Sequence, residues 1–231
     1  MSAPATSNTR QANGQFLYMV LGGLFVSALV TCNLIANKFI RVDLGFGEFE
    51  ISAGVLPYPL TFLITDILSE VYGRKKTNTI VFSGFFASLL VLLILYMGSM
   101  FPALDQSPVT NEQYDSVFRN SWRVIGASMI AYLVAQFVDV RVFHFWKNLT
   151  KGKHLWLRNN FSTVFSQLLD TVLVTTVIFA GIESFGFISG LIWDGWLFKV
   201  IFAAADTILI YLAIFAIRKY FNLAAGEELK I

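Results

Sequence analysis

Apolar residues run in long blocks along this chain, and polar residues gather in the short gaps between them. Crossing a ~30 Å hydrocarbon layer takes about 20 apolar residues at ~1.5 Å of helical rise each. Residues 17–38, 79–101, 124–146, 164–182 and 189–217 meet that requirement. A sixth block, residues 51–72, is apolar enough but holds Pro57, Pro59, Asp66 and Glu70. Between two clear spans it reads as a broken span, because irregular backbone at membrane depth survives only where protein or a water-filled cavity covers it. The pattern predicts an all-α fold: a polytopic membrane bundle of six transmembrane helices, the second one irregular.

The gaps leave no room for a second domain. Residues 1–16 are polar and read as a disordered cytoplasmic tail, residues 17–217 as the transmembrane domain, and residues 218–231 as a cytoplasmic C-terminal tail. The first apolar block is too long for the core of a signal peptide and reads as a retained helix.

Composition narrows the class. Of 231 residues, 56% are hydrophobic and 14% charged, against about 25% charged in a soluble domain. A cytosolic globular enzyme is disfavoured, and disorder, which needs low hydrophobicity, is excluded. The net charge is only +2 and forms no basic stripe, so nucleic acid is not an expected partner. Cys32 is the single cysteine, which excludes an intramolecular disulfide framework and a cysteine-rich metal site. No metal or cofactor is expected.

The distribution of charge sets an orientation. Arg10, Arg74, Lys75, Lys76, Lys147, Lys151, Lys153, Arg158, Arg218, Lys219 and Lys230 fall on one side, eleven in all, and Lys38, Arg41, Arg119 and Arg123, four, on the other. Basic loops stay inside, so both termini are expected in the cytoplasm.

Ionisable groups at the centre of a span cost at least ~2.5 kcal/mol each, so each calls for a reason. The fourth span carries Gln136 and Asp139, and the fifth carries Ser166, Gln167, Asp170 and Thr171. Both hold the pattern Gln-x-x-Asp, and residues three apart share a helix face. Counting residues from the inner ends puts Asp139 and Asp170 at similar depth, and the short connection makes the two helices antiparallel neighbours. The sixth span adds Asp206 at a similar depth, with Lys199 seven residues earlier. The second span adds Tyr58, Phe62, Asp66 and Glu70, and the first adds Asn33, Asn37 and Lys38.

Any one of these groups could be structural, since polar side chains also hold helices together. Asp139 could pair with Arg141 or His144, Asp206 with Lys199, and Glu70 with Arg74. As a set, three carboxylates and two amides in one layer fit a site for a polar, hydrogen-bonding solute better. Asp139 and Asp170 are expected to face each other across one solute-sized cavity, with Lys199 and Asp206 as partners in that layer.

The run Pro57-Tyr58-Pro59-Leu60-Thr61-Phe62, then Asp66, then Glu70-Val71-Tyr72-Gly73, closely resembles the queuosine-precursor transporter family, also described as vitamin-uptake-like membrane proteins. Asn33 and Lys38 before it, and Gln136-x-x-Asp139 and Ser166-Gln167-x-x-Asp170 after it, fit the same pattern. The resemblance covers roughly residues 17–217. It implies uptake of 7-cyano-7-deazaguanine, 7-aminomethyl-7-deazaguanine or queuine across a bacterial inner membrane. It also implies a six-helix fold like that of the substrate-binding subunits of energy-coupling-factor vitamin transporters. A homodimer in the lipid and a separate energising module are both compatible with it.

Two other classes compete. An intramembrane aspartyl protease would need Tyr-Asp and Gly-x-Gly-Asp within spans, but the only Tyr-Asp is Tyr114-Asp115 in the outer loop, and Gly-x-Gly-Asp is absent. His-Glu-x-x-His, a phosphate loop and a serine elbow are also absent. A non-transport membrane subunit would not need the buried charges. The expected function is therefore transport, not catalysis.

Overall fold

A computed structural model of the chain describes residues 7–36, 38–45, 47–119, 122–179, 181 and 183–231. Its helices are α1 (Ser7–Ile35), α2 (Tyr58–Ser99), the short α3 (Asn111–Tyr114), α4 (Trp122–Leu149), α5 (Leu155–Phe179) and α6 (Phe185–Phe221). All but α3 belong to five apolar helical segments long enough to cross a membrane. Large apolar side chains are exposed along them, among them Phe86, Leu93, Phe165, Ile208 and Phe215, as contact with lipid allows.

The broken span, residues 51–72, takes in the end of a hairpin, a short turn and the first part of α2. Residues 39–52 form an antiparallel hairpin, β1 (Phe39–Asp43) and β2 (Glu48–Ser52), with Phe39 opposite Ser52 and Asp43 opposite Glu48. Block-wise hydropathy passes over this hairpin, although Glu48-Phe49-Glu50-Ile51 alternates with the period of two that marks a half-buried strand. Phe49 and Ile51 point inward, and the Phe49 ring meets Phe198 of α6 at 5.9 Å between centroids. A single 3-10 turn, Ala53–Val55, follows, and α2 then opens with Pro59 in its first turn, where a missing N–H costs nothing.

Within α2 the chain reverses. Gly73 has φ 78° and ψ 170°, outside the helical region. Ser69 donates to the Thr77 hydroxyl at 3.3 Å, whereas eight residues of straight helix would separate them by ~12 Å. The first arm, residues 58–72, therefore runs antiparallel to the second, residues 74–99. Together with α1, α4, α5 and α6, the two arms give the expected six-segment bundle. A Cβ at residue 73 would collide with the Glu228 carboxylate, so glycine is required there both for its φ and for space.

Two ends of the bundle differ. At the terminal end, Tyr72 donates to the Gly14 carbonyl at 2.9 Å, and Leu229 N–H bonds the Val71 carbonyl at 2.6 Å. Residues 7–16, expected as a disordered tail, are helical and belong to α1, while residues 1–6 lie outside the described set. The C-terminal segment beyond α6 folds back across this end and buries Leu229. At the other end lie the hairpin, α3 and the α5–α6 connection. α4 and α5 pack antiparallel, as the short connection predicts, with Trp146 and Phe161 rings 5.3 Å apart.

Candidate functional site

A cavity of about 140 Å³ lies at the hairpin end, between α1, β2, the start of α2, α5 and α6. Its walls are largely apolar, with Ile51, Val55, Val174, Ile178 and Leu191 among them. An apolar protein cavity of ~150 Å³ admits one benzene ring, so this space is on the scale of a planar heterocycle.

Three side chains fix its floor. Asp170 on α5 is 3% exposed and pairs with Lys199 on α6, Nζ to Oδ2 at 2.7 Å. The Tyr58 hydroxyl donates to Asp170 Oδ1 at 2.9 Å. Lys199 also donates to the Thr171 hydroxyl at 3.1 Å, and its ammonium sits 4.6 Å from the centroid of the Tyr58 ring. Residues from three helices are thereby held in one orientation. Removing two opposite charges from water is expensive, and the short contact, the hydroxyls and the ring face offset that cost. Each Asp170 oxygen still has a lone pair, so the carboxylate can accept from a ligand without giving up its protein partners. Asn33 lines the same cavity, and its Nδ2 has no protein acceptor.

A second polar layer lies one helical turn further toward the terminal end. Asp139 on α4 accepts from Ser166 of α5 at 3.0 Å and is within hydrogen-bond reach of Asp66 on α2. Gln136 and Gln167 are fully buried, and neither amide has a hydrogen-bond partner on its oxygen or its nitrogen. Beside them is a space of about 20 Å³ lined by Phe62, Asp66, Gln167, Lys199 and Asp206.

The structure redistributes the residues expected to form one site. Asp170, Lys199, Tyr58 and Asn33 meet at the large cavity. Asp139 does not line it; its carboxyl faces Ser166, one turn of α5 away from Asp170, so the two carboxylates occupy successive layers. Lys199 pairs with Asp170 and not with Asp206, because seven residues along one helix amount to ~10 Å. Asp206 is half-buried beside the smaller space, with Phe62 and Gln167. Lys38 is exposed and lies outside both spaces. Asn37 falls outside the described residues. Arg141 is exposed, so it is no partner for Asp139.

Glu70 belongs to the terminal end. Its carboxylate bonds Arg218, meets Arg158 at 2.6 Å and lies 3.8 Å from Lys147, while Arg74, its nearest candidate partner in the sequence, is exposed. Lys147 also reaches Glu228 at 3.2 Å. Arg158 and Arg218 enter the sequence reading only as loop charges. The signal that could have placed Arg158 is the stripe Arg158, Ser162, Ser166, Asp170, which keeps helical spacing into the loop and is wholly buried.

Comparison with known proteins gives a consistent result. Residues 52–213 match the profile of the family described as "Putative vitamin uptake transporter". The chain is 33% identical over 164 residues to the "Probable queuosine precursor transporter" of Bacillus subtilis (strain 168), covering 69% of each chain. It is 27% identical over 150 residues to the "Queuosine precursor transporter" of Escherichia coli (strain K12), covering 62% of each. No solved structure matches the chain at a significant level.

Proposed function

The chain belongs to the vitamin uptake transporter family of multi-pass membrane proteins, and from that premise we propose that it carries queuosine precursors into the cell, with the hairpin-end cavity as the binding site. The substrates proposed are 7-cyano-7-deazaguanine, 7-aminomethyl-7-deazaguanine or queuine, since all three share one ring system. The basic terminal end then faces the cytoplasm of a bacterial inner-membrane protein, and the hairpin end faces outward.

The observation that carries this reading is the Asp170 carboxylate, held by Tyr58 and Lys199 at the floor of a ring-sized apolar cavity. A 7-deazaguanine offers an N1–H and an exocyclic amine side by side. A carboxylate accepts such a pair in a bidentate arrangement, and the bonds are charge-assisted. Asn33 stands at the cavity wall, and a turn of its side chain brings the unpartnered Nδ2 to the ring carbonyl. The Tyr58 ring supplies a face for stacking.

A ligand that binds only the folded state raises its stability, by ~2.7 kcal/mol at a hundred times Kd. Purified protein should therefore melt at higher temperature with each of the three deazaguanines and not with adenine. Whole-cell uptake of the labelled bases then ranks them. No stabilisation by any deazaguanine would remove the reading.

A further inference from the structure

The layer beneath the proposed binding site holds groups that substrate recognition does not use. Asp66 and Asp139 are each 1% exposed, come from α2 and α4, and are within hydrogen-bond reach of each other. Asp66 Oδ1 and Asp139 Oδ2 have no donor from the protein. Two carboxylate oxygens are both acceptors, so a contact between them requires a hydrogen on one of the two groups.

The charged and titratable neighbours do not supply another cation. Arg158 of α5 is held by Glu70, one turn along from Asp66, and by the Lys153 carbonyl, and acts on Asp66 only from a distance. Lys199 of α6 is committed to Asp170. Asp206 of α6 shares the small space with Asp66 and would only add negative charge, and Tyr132 of α4 offers a hydroxyl without a partner.

A second observation points to a mobile ligand here. The 20 Å³ space beside Asp66 is lined by Gln167 and Asn159, both buried and both with side-chain oxygens lacking partners. A polar space above ~10–15 Å³ holds one water molecule. Tyr58 and Lys199 line this space and the large cavity alike, so the two layers share a wall.

We propose that the Asp66–Asp139 pair is a proton-carrying site that couples inward movement of the substrate to inward movement of H⁺. The proposal rests on the transporter reading above. With the first arm of α2 against α4, the pair holds a proton between its oxygens. A conformation that parts these helices removes the shared hydrogen bond and releases the proton through the water-sized space. Tyr58 and Lys199 hold Asp170 and also form the shared wall, so a ligand at Asp170 that shifts either side chain alters the other layer.

The test uses the whole protein in liposomes with labelled 7-cyano-7-deazaguanine. An outside-acid gradient of one pH unit, with one proton per neutral substrate, should drive up to about tenfold accumulation. Asp139→Asn and Asp66→Asn retain a hydrogen bond across the pair and mimic its protonated form. Each should lose the accumulation, to a ratio near one, while keeping exchange of labelled for unlabelled base at equal pH. Infrared spectroscopy of the ligand-free protein gives a second readout: a protonated carboxyl band in the wild type, lost in both variants. Wild-type accumulation by either variant, accumulation driven by Na⁺ and not by pH, or no carboxyl band in the wild type would each overturn the proposal. The band present with no deazaguanine exchanged at all would overturn the substrate reading and leave the proton site standing.

Discussion

The two ends of the bundle use buried charge in opposite ways. At the hairpin end one carboxylate, Asp170, meets one ammonium and one hydroxyl, and keeps lone pairs facing open space. At the terminal end one carboxylate, Glu70, is met by Arg158, Arg218 and Lys147, and the C-terminal segment adds Glu228 over the top. The first arrangement has spare hydrogen-bonding capacity and room for a guest. The second surrounds its carboxylate with three cations, and it ties the first arm of α2 to α4, α5, α6 and the chain terminus. Buried charge marks a binding site only where acceptors outnumber the donors the protein supplies.

Breaking the terminal end should have the largest effect. Glu70→Gln leaves Arg158, itself 1% exposed, without a counter-ion. Removing one partner of a buried ion pair costs about 3–5 kcal/mol. The expected result is a large fall in melting temperature or loss of folded protein from detergent extracts, whether or not ligand is present.

Breaking the hairpin end should act on binding instead. Tyr58→Phe removes the hydroxyl that orients Asp170 while keeping the ring. The lost hydrogen bond to a charged group costs about 1.5–3 kcal/mol of stability, and deazaguanine affinity should fall by about tenfold because Asp170 is no longer held in orientation. The melting temperature without ligand should change less than in Glu70→Gln, and equilibrium binding beside a thermal melt checks both.

The smallest expected change sharpens the contrast. Gly73→Ala forces an alanine into φ 78° and ψ 170°, a region kept almost to glycine, and pushes on Glu228, for a cost of about 1–3 kcal/mol from the backbone alone. The C-terminal segment should become more accessible to protease, while affinity at the distant cavity stays near wild type.

Much of this architecture was legible in the sequence because a membrane span declares itself by length and hydropathy. The polar face of α5 was legible for the same reason, since Ser166, Gln167 and Asp170 stand out in an apolar block. Partner choice was harder. Lys199 and Asp206 share a helix face, yet Lys199 reaches across to α5, and only the packing of α5 on α6 decides that. Arg158 looked like a loop charge because hydropathy starts the span after it, whereas its guanidinium points back into the bundle toward Glu70. The hairpin went unread because five-residue strands leave little trace at the window length that reveals spans. The basic run Arg74-Lys75-Lys76 marks the turn between the second and third spans, and the structure sets the reversal at Gly73, just before it.

The most direct measurement fills the hairpin-end cavity without touching its charges. Gly195 lines that cavity, and a Cβ there would meet only Thr171 Cγ2 at 3.4 Å, an ordinary contact. Gly195→Leu therefore places its branched end in the space proposed for the ring, and leucine favours a helix over glycine by up to about 1 kcal/mol. Equilibrium binding of labelled 7-cyano-7-deazaguanine to the purified protein should be saturable in the wild type. In the variant it should be reduced at least a hundredfold, with an unchanged or higher melting temperature. Wild-type affinity in a well-folded Gly195→Leu would contradict the assignment of this cavity as the binding site.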